Sequence, residues 1–155
     1  MFSHFAALTL ALGAAPAPAA SDWRFADSSA NGTNISFIDV DSIRVNAGGN
    51  TEAMIFSVLA KDDEGAVAFR FHVEFQCATG KSRLMTGEMF DSSLKSDGAE
   101  DMAGEWEGNA PGTQGDTLMK FVCSKGATGD GKSLGSELPL AKGRIMLAER
   151  AAKGS

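Results

Sequence analysis

The segment VAFRFHVEFQC, from Val67 to Cys77, decides the fold. Val67, Phe69, Phe71, Val73, Phe75 and Cys77 alternate with Ala68, Arg70, His72, Glu74 and Gln76. A period of two sends the first set to one face of a β-strand and the second to the other, with Cys77 pointing into the core. One apolar and one polar face is the signature of an antiparallel sheet, here with the polar face expected to be solvated. Upstream, residues 53–60 (AMIFSVLA) read as a strand with apolar residues on both faces, joined to the first by the charged turn of residues 61–65. Downstream, Thr79, Gly80 and Lys81 turn the chain into a further strand over residues 82–90. Three consecutive strands with short connections make a meander.

Farther out the pattern is less regular. Residues 34–39 predict another strand, although the alternation slips between Phe37 and Ile38, and residues 39–42 suggest a bend before the turn NAGGN at residues 46–50. Trp23 to Phe25 adds a short strand at the edge. Residues 91–111 are acidic and Gly-rich, a loop with one short strand around Trp106. Thr113 with Asp116 three residues on resembles a capping box, and Leu118, Phe121 and Val122 keep helical spacing. The segment TLMKFVC is short enough to be a strand, but the caps favour a helix that ends at Lys125 and Gly126 and carries Cys123 onto the sheet. The expected class is α+β, a single antiparallel sheet of five or six strands with a C-terminal helix, over residues 20–126. Residues 127–155, rich in Gly, Ala, Lys and Ser, are expected to form a poorly ordered or loosely docked tail in which residues 141–152 can form a short helix.

The first 19 residues carry no Asp, Glu, Lys or Arg and hold an apolar run from Phe5 to Ala15, followed by the small triplet Ala17, Pro18, Ala19. That is a secretory signal with cleavage after Ala19, which makes the mature chain periplasmic or secreted. The alternative is an N-terminal membrane anchor, since the basic flank of a signal is missing; the run is short of the roughly 20 residues a span requires. No later stretch is apolar enough to cross a membrane. In an oxidising compartment Cys77 and Cys123 are expected to pair, the alternative being two free buried thiols. The net charge of −6, from 14 basic and 20 acidic residues, disfavours nucleic acids and anionic membranes.

These landmarks together resemble the surface-adhesin protein E family. The resemblance rests on Trp23, the aromatic strand ending Phe37-Ile38-Asp39, the following Ser42-Ile43-Arg44, and Cys77 and Cys123 bracketing Trp106 and Pro111-Gly112-Thr113. It covers roughly Trp23 to Ser124. It implies one antiparallel sheet with a C-terminal helix tied to it by the disulfide, and a non-enzymatic bacterial envelope protein. Adhesion to host matrix proteins is the function of the founding type. The chain departs from that type in lacking a cysteine at the cleavage site for a lipid anchor and in adding the residues after Ser124.

No catalytic set assembles in the sequence, and no cofactor is expected. Residues 126–133 (GATGDGKS) match a phosphate-binding loop by letter, but Gly135 and Pro139 interrupt the helix such a loop must precede. His72 beside Glu74 lacks a nucleophile for acid/base work and lacks partners for zinc. The acidic groups lack calcium-loop spacing, and the methionines, Met85 and Met89 among them, serve as core filler before they serve copper. By residue type the candidate binding surface is Arg44, Trp106, Arg70 and His72, with core packing the expectation for a lone Trp106. The function expected is an exported binding module whose partner is an extracellular or envelope protein. The competing reading is a periplasmic protein that holds a small ligand or metal between sheet and helix.

Overall fold

The computed structural model describes residues 20–102 and 104–153, so the proposed signal at residues 1–19 lies outside the described residues. The strands are β1 (Trp23–Ser28), β2 (Asn34–Val45), β3 (Thr51–Asp63), β4 (Ala66–Gln76), β5 (Lys81–Phe90), β6 (Glu100–Asp101) and β7 (Glu107–Gly108). Two helices follow, α1 (Gln114–Cys123) and α2 (Leu140–Lys153). All pairings are antiparallel, in the meander order β1-β2-β3-β4-β5-β6, with β7 also on β5. The single strand expected around Trp106 is thus two two-residue strands flanking it, both laid along β5.

The slip between Phe37 and Ile38 has a direct cause. Neighbours on a strand point to opposite faces, and here both are fully buried. Phe37 joins Phe56, Val58, Trp23, Leu140 and Leu147 in one cluster, while Ile38 joins Ile55, Val73, Phe121 and Val122 in another. Ile55 and Phe56 divide in the same way. One side of the β1–β3 region is therefore covered by α2 and the other by α1. The doubly apolar segment at residues 53–60 reflects a sheet sandwiched between helices.

Helix α1 forms as its caps require. Thr113 stands at the N-cap and its hydroxyl accepts the Asp116 N–H at 3.3 Å, while the Asp116 carboxylate accepts the Gly112 N–H at 2.9 Å. At the other end the Gly126 N–H reaches the Phe121 carbonyl and the Lys125 N–H the Val122 carbonyl, a Schellman pattern with Lys125 and Gly126 at positive φ. The Cys77–Cys123 disulfide, with its Cα atoms 5.8 Å apart, ties the end of α1 to the chain just beyond β4. Cys77 is exposed there and does not point into the core as the alternation implied, because β4 ends at Gln76.

The tail expected to dock loosely instead contributes to the core. Leu140 and Leu147 are buried in the cluster with Phe37 and Phe56, and Leu134, Leu138 and Met146 pack at its margin. Gly143 permits this. A Cβ there would stand 2.6 Å from Val58 Cγ2 and 3.1 Å from a Phe37 ring carbon. The backbone of residues 134–135 also hydrogen-bonds Trp23 at the start of the outer edge of β1, covering part of an edge that would otherwise invite pairing with another chain.

Two outcomes are expected. Gly143→Ala should lose about 1–3 kcal/mol to overpacking, more than the roughly 1 kcal/mol of helix propensity it gains. Its melting temperature, followed by circular dichroism, should fall. Reducing the disulfide, which closes a loop of sequence separation 46, should remove up to about 4 kcal/mol on the chain-entropy account, read as a lower urea midpoint.

Candidate functional site

The cross-strand register builds a row of charge that no single segment reveals. Arg44 on β2 pairs with Glu52 on β3, Glu52 with Glu74 on β4, and Glu74 with Arg83 on β5. All four therefore share one face, the face α2 covers farther along. Two carboxylates directly opposite each other repel, and Glu74 is nearly fully buried, at 3% exposure. The arrangement persists because each carboxylate oxygen is satisfied. The Asn46 side-chain amide donates to both Glu52 Oε1 (2.9 Å) and Glu74 Oε1 (2.6 Å), and Asn50 donates to Glu74 Oε1 at 2.8 Å. Arg83 Nε donates to Glu74 Oε2 at 2.7 Å, and Arg44 Nε to Glu52 Oε2 at 3.0 Å. His72 Nε2 lies 3.2 Å from the same Glu52 oxygen.

The turn at residues 46–50 is shaped for this task. Asn46 Oδ1 accepts the N–H groups of Gly48 and Asn50 at 3.0 and 3.1 Å, which leaves its amide nitrogen free to bridge the two glutamates. The bend at residues 39–42 is built in a similar way. Asp39 Oδ1 accepts the N–H groups of Asp22 and Asp41, while the Ser42 hydroxyl donates to the Asp39 carbonyl and accepts the Met54 N–H. The pairing of β2 with β3 breaks there and resumes at Arg44.

The four residues singled out from the sequence all stand on or beside this row. Arg44 and His72 meet on Glu52. Arg70, next along β4 on the same face, is paired with Glu88 and lies over the Phe90 ring at 5.5 Å. Trp106 is half-buried, with the Arg83 guanidinium 4.6 Å over its ring. Two expectations change. Trp106 is not a core residue; the buried tryptophan is Trp23, in edge-to-face contact with Phe56. The polar face of β4 is not openly solvated, since the His72 side chain is 23% exposed and Glu74 is buried. Glu52, Glu74, Arg83, Asn46 and Asn50 escaped notice as a set because only the register brings them together. Arg44, its side chain 69% exposed, and Trp106 mark the open ends of the row.

The chemistry of this row is positional. Among the described residues no three His, Cys, Asp or Glu side chains gather as a metal site would require. The stretch at residues 126–133 follows a helix and runs from a turn into irregular chain, with Gly126 spent on the α1 cap, so it lacks the strand-to-helix setting of a phosphate loop. Among the described residues no helix is long and apolar enough to cross a membrane.

The hydrogen bond from Asn46, aided by Arg44 and His72, outweighs burial and holds Glu52 below its ordinary 4.5. Burial pushes Glu74 upward, but Asn50, Asn46 and Arg83 together hold it below 4.5 as well. A depressed folded-state value means the stabilisation is complete above the unfolded value and is lost as pH falls through the folded one. The melting temperature should therefore hold from neutrality to about pH 5 and drop below about pH 4.5. Glu74→Gln should be less stable than the wild type at neutral pH yet show a shallower acid limb in thermal melts across that range.

No curated protein and no solved structure gives a significant match to the chain. A family model does match, that of Surface-adhesin protein E, over residues 23–124. The matched span runs from the buried Trp23 through the sheet, the charge row and the disulfide to the end of α1, and leaves α2 outside. Over the greater part of its length, then, the sheet with its disulfide-tied helix identifies this chain as a member of the surface-adhesin protein E family.

Proposed function

We propose that the protein is an exported, non-enzymatic binding module of the bacterial envelope, acting by contact with another protein. The observation that carries this reading is the family membership, since a surface-adhesin family suggests an exported, envelope-associated protein. The apolar run of residues 5–15 followed by Ala17-Pro18-Ala19 supports export through a signal cleaved after Ala19. The charge row supports a contact role. Its carboxylates are each committed to hydrogen bonds with neighbouring side chains, which leaves a rigid face with Arg44 and Trp106 at its ends. Arginine and tryptophan are the side chains that most often anchor interfaces, and a pre-ordered face loses little freedom on binding.

The test is labelling of intact source cells with a membrane-impermeant amine reagent, followed by recovery of the protein. Labelling before lysis is expected, together with binding to immobilised matrix proteins that weakens in Arg44→Ala. Labelling only after lysis would overturn the adhesive reading and confine the protein to the periplasm.

A further inference from the structure

The opposite face of the sheet is only partly covered. Helix α1 and the disulfide close one end of it, over Phe75 and Val73, but beyond them Phe69 and Phe71 on β4 remain partly exposed. Their rings stack at 5.7 Å between centroids and 11° between planes. They form the shared floor of two adjoining hollows, one of about 410 Å³ against α1 and one of about 520 Å³ against the loop that follows β5. Met89 and Met102, 62% and 46% exposed, line the second. Gly87 keeps that hollow shallow-floored, because Met102 lies across it with its sulfur 3.1 Å from where a Cβ would stand. Such a floor, aromatic and methionine-rich, adapts to apolar side chains.

The rim is acidic. Glu64 borders the hollow from the β3–β4 turn, and Asp97 and Glu100 from the far side, with Lys95 the one basic side chain lining it among the described residues. Among the described residues Glu64, Asp97 and Glu100 find no side-chain hydrogen-bond or ion-pair partner, and all three are exposed. The loop that presents them is ordered by Asp91, whose Oδ1 accepts the Ser93 N–H, the Ser93 hydroxyl and the Lys95 N–H at 2.7–3.0 Å. Uncommitted carboxylates around an apolar floor select an occupant with positive charge flanking apolar side chains. A second copy of this chain, with a net charge of −6, is the wrong complement. Strand addition is also restricted, because residues 134–135 bond Trp23 at the start of the β1 edge and β6 and β7 pair with β5.

We infer that this groove is a docking site for a basic, apolar peptide segment of a partner protein, its apolar side chains on Phe69, Phe71 and Met89 and its lysines or arginines toward Glu64, Asp97 and Glu100. This rests on the reading of the protein as a binding module and names the chemistry of the partner. It uses the face opposite the charge row.

The experiment is fluorescence anisotropy with the purified, disulfide-intact protein and short labelled peptides alternating lysine with leucine, glutamate with leucine, or serine with leucine. Saturable binding of the lysine peptide is expected, at least about tenfold tighter than either other peptide and weakened by salt. The triple variant Glu64→Lys, Asp97→Lys, Glu100→Lys, all at exposed positions, should shift the preference to the glutamate peptide. Met89→Gln should weaken binding of the lysine peptide, and Lys142→Ala, at an exposed position on α2, should leave it unchanged. Equal affinity for the lysine and serine peptides would overturn the inference in favour of a plain apolar-ligand site, and an unchanged preference in the triple variant would also overturn it. Because the titration uses purified protein, its failure is separable from a failure of surface labelling on cells.

Discussion

Two pairs of neighbouring residues, Phe37-Ile38 and Ile55-Phe56, set the terms for the rest of the structure. Each pair sits on paired strands, Phe37 opposite Phe56 and Ile38 opposite Ile55, and all four side chains are buried. Strand geometry sends one member of each pair to either side of the sheet, so the sheet needs cover on both. Helix α1 supplies it on one side and is anchored by the disulfide. Helix α2 supplies it on the other, and the absence of a side chain at Gly143 lets it approach. Residues far apart in the chain are thereby bound into one folding problem.

The covers do not extend over the whole sheet, and that difference creates the two surfaces of interest. On the α2 side the uncovered area is closed by charge. Glu52 and Glu74 face each other and would repel, yet the turn at residues 46–50 places one amide nitrogen between them while Arg44 and Arg83 flank them. Surface ion pairs alone contribute little. What matters is that Glu74, once buried, leaves none of its acceptor atoms without a donor, for an unsatisfied buried carboxylate would be far more costly than the pairing is favourable. On the α1 side the uncovered area stays apolar, with Phe69, Phe71 and Met89 open beneath an acidic rim. One face is thus closed and polar and the other open and apolar.

The span matched by the family, residues 23–124, leaves out α2, although α2 buries part of the same core. The residues after Ser124 thus lie outside the matched span yet contribute to the core. Leu140 and Leu147 cover Phe37 and Val58, and the backbone of residues 134–135 covers the start of the β1 edge. Both features reduce exposed apolar surface and open strand edge.

Local chemistry was enough to reveal much of this. The alternation from Val67 to Gln76, the turns around it and the caps at Thr113 and Gly126 are short-range effects, and they placed the meander and α1 from the chain alone, while the Cys77–Cys123 pairing was expected from two cysteines in an oxidising compartment. Residue type marked Arg44, Arg70, His72 and Trp106, which the fold gathers along one face. Three matters depended on contacts across the fold. The burial of α2 arises from Gly143 meeting Val58 and Phe37, residues about a hundred positions away, and a helix of low local promise is stabilised by packing and not by propensity. The position of Trp106 follows from Arg83 lying over its ring, whereas composition alone favoured the core. The charge row exists only in the register of four strands, because a strand's sequence states which residues share its face but not which residues of its neighbours stand opposite.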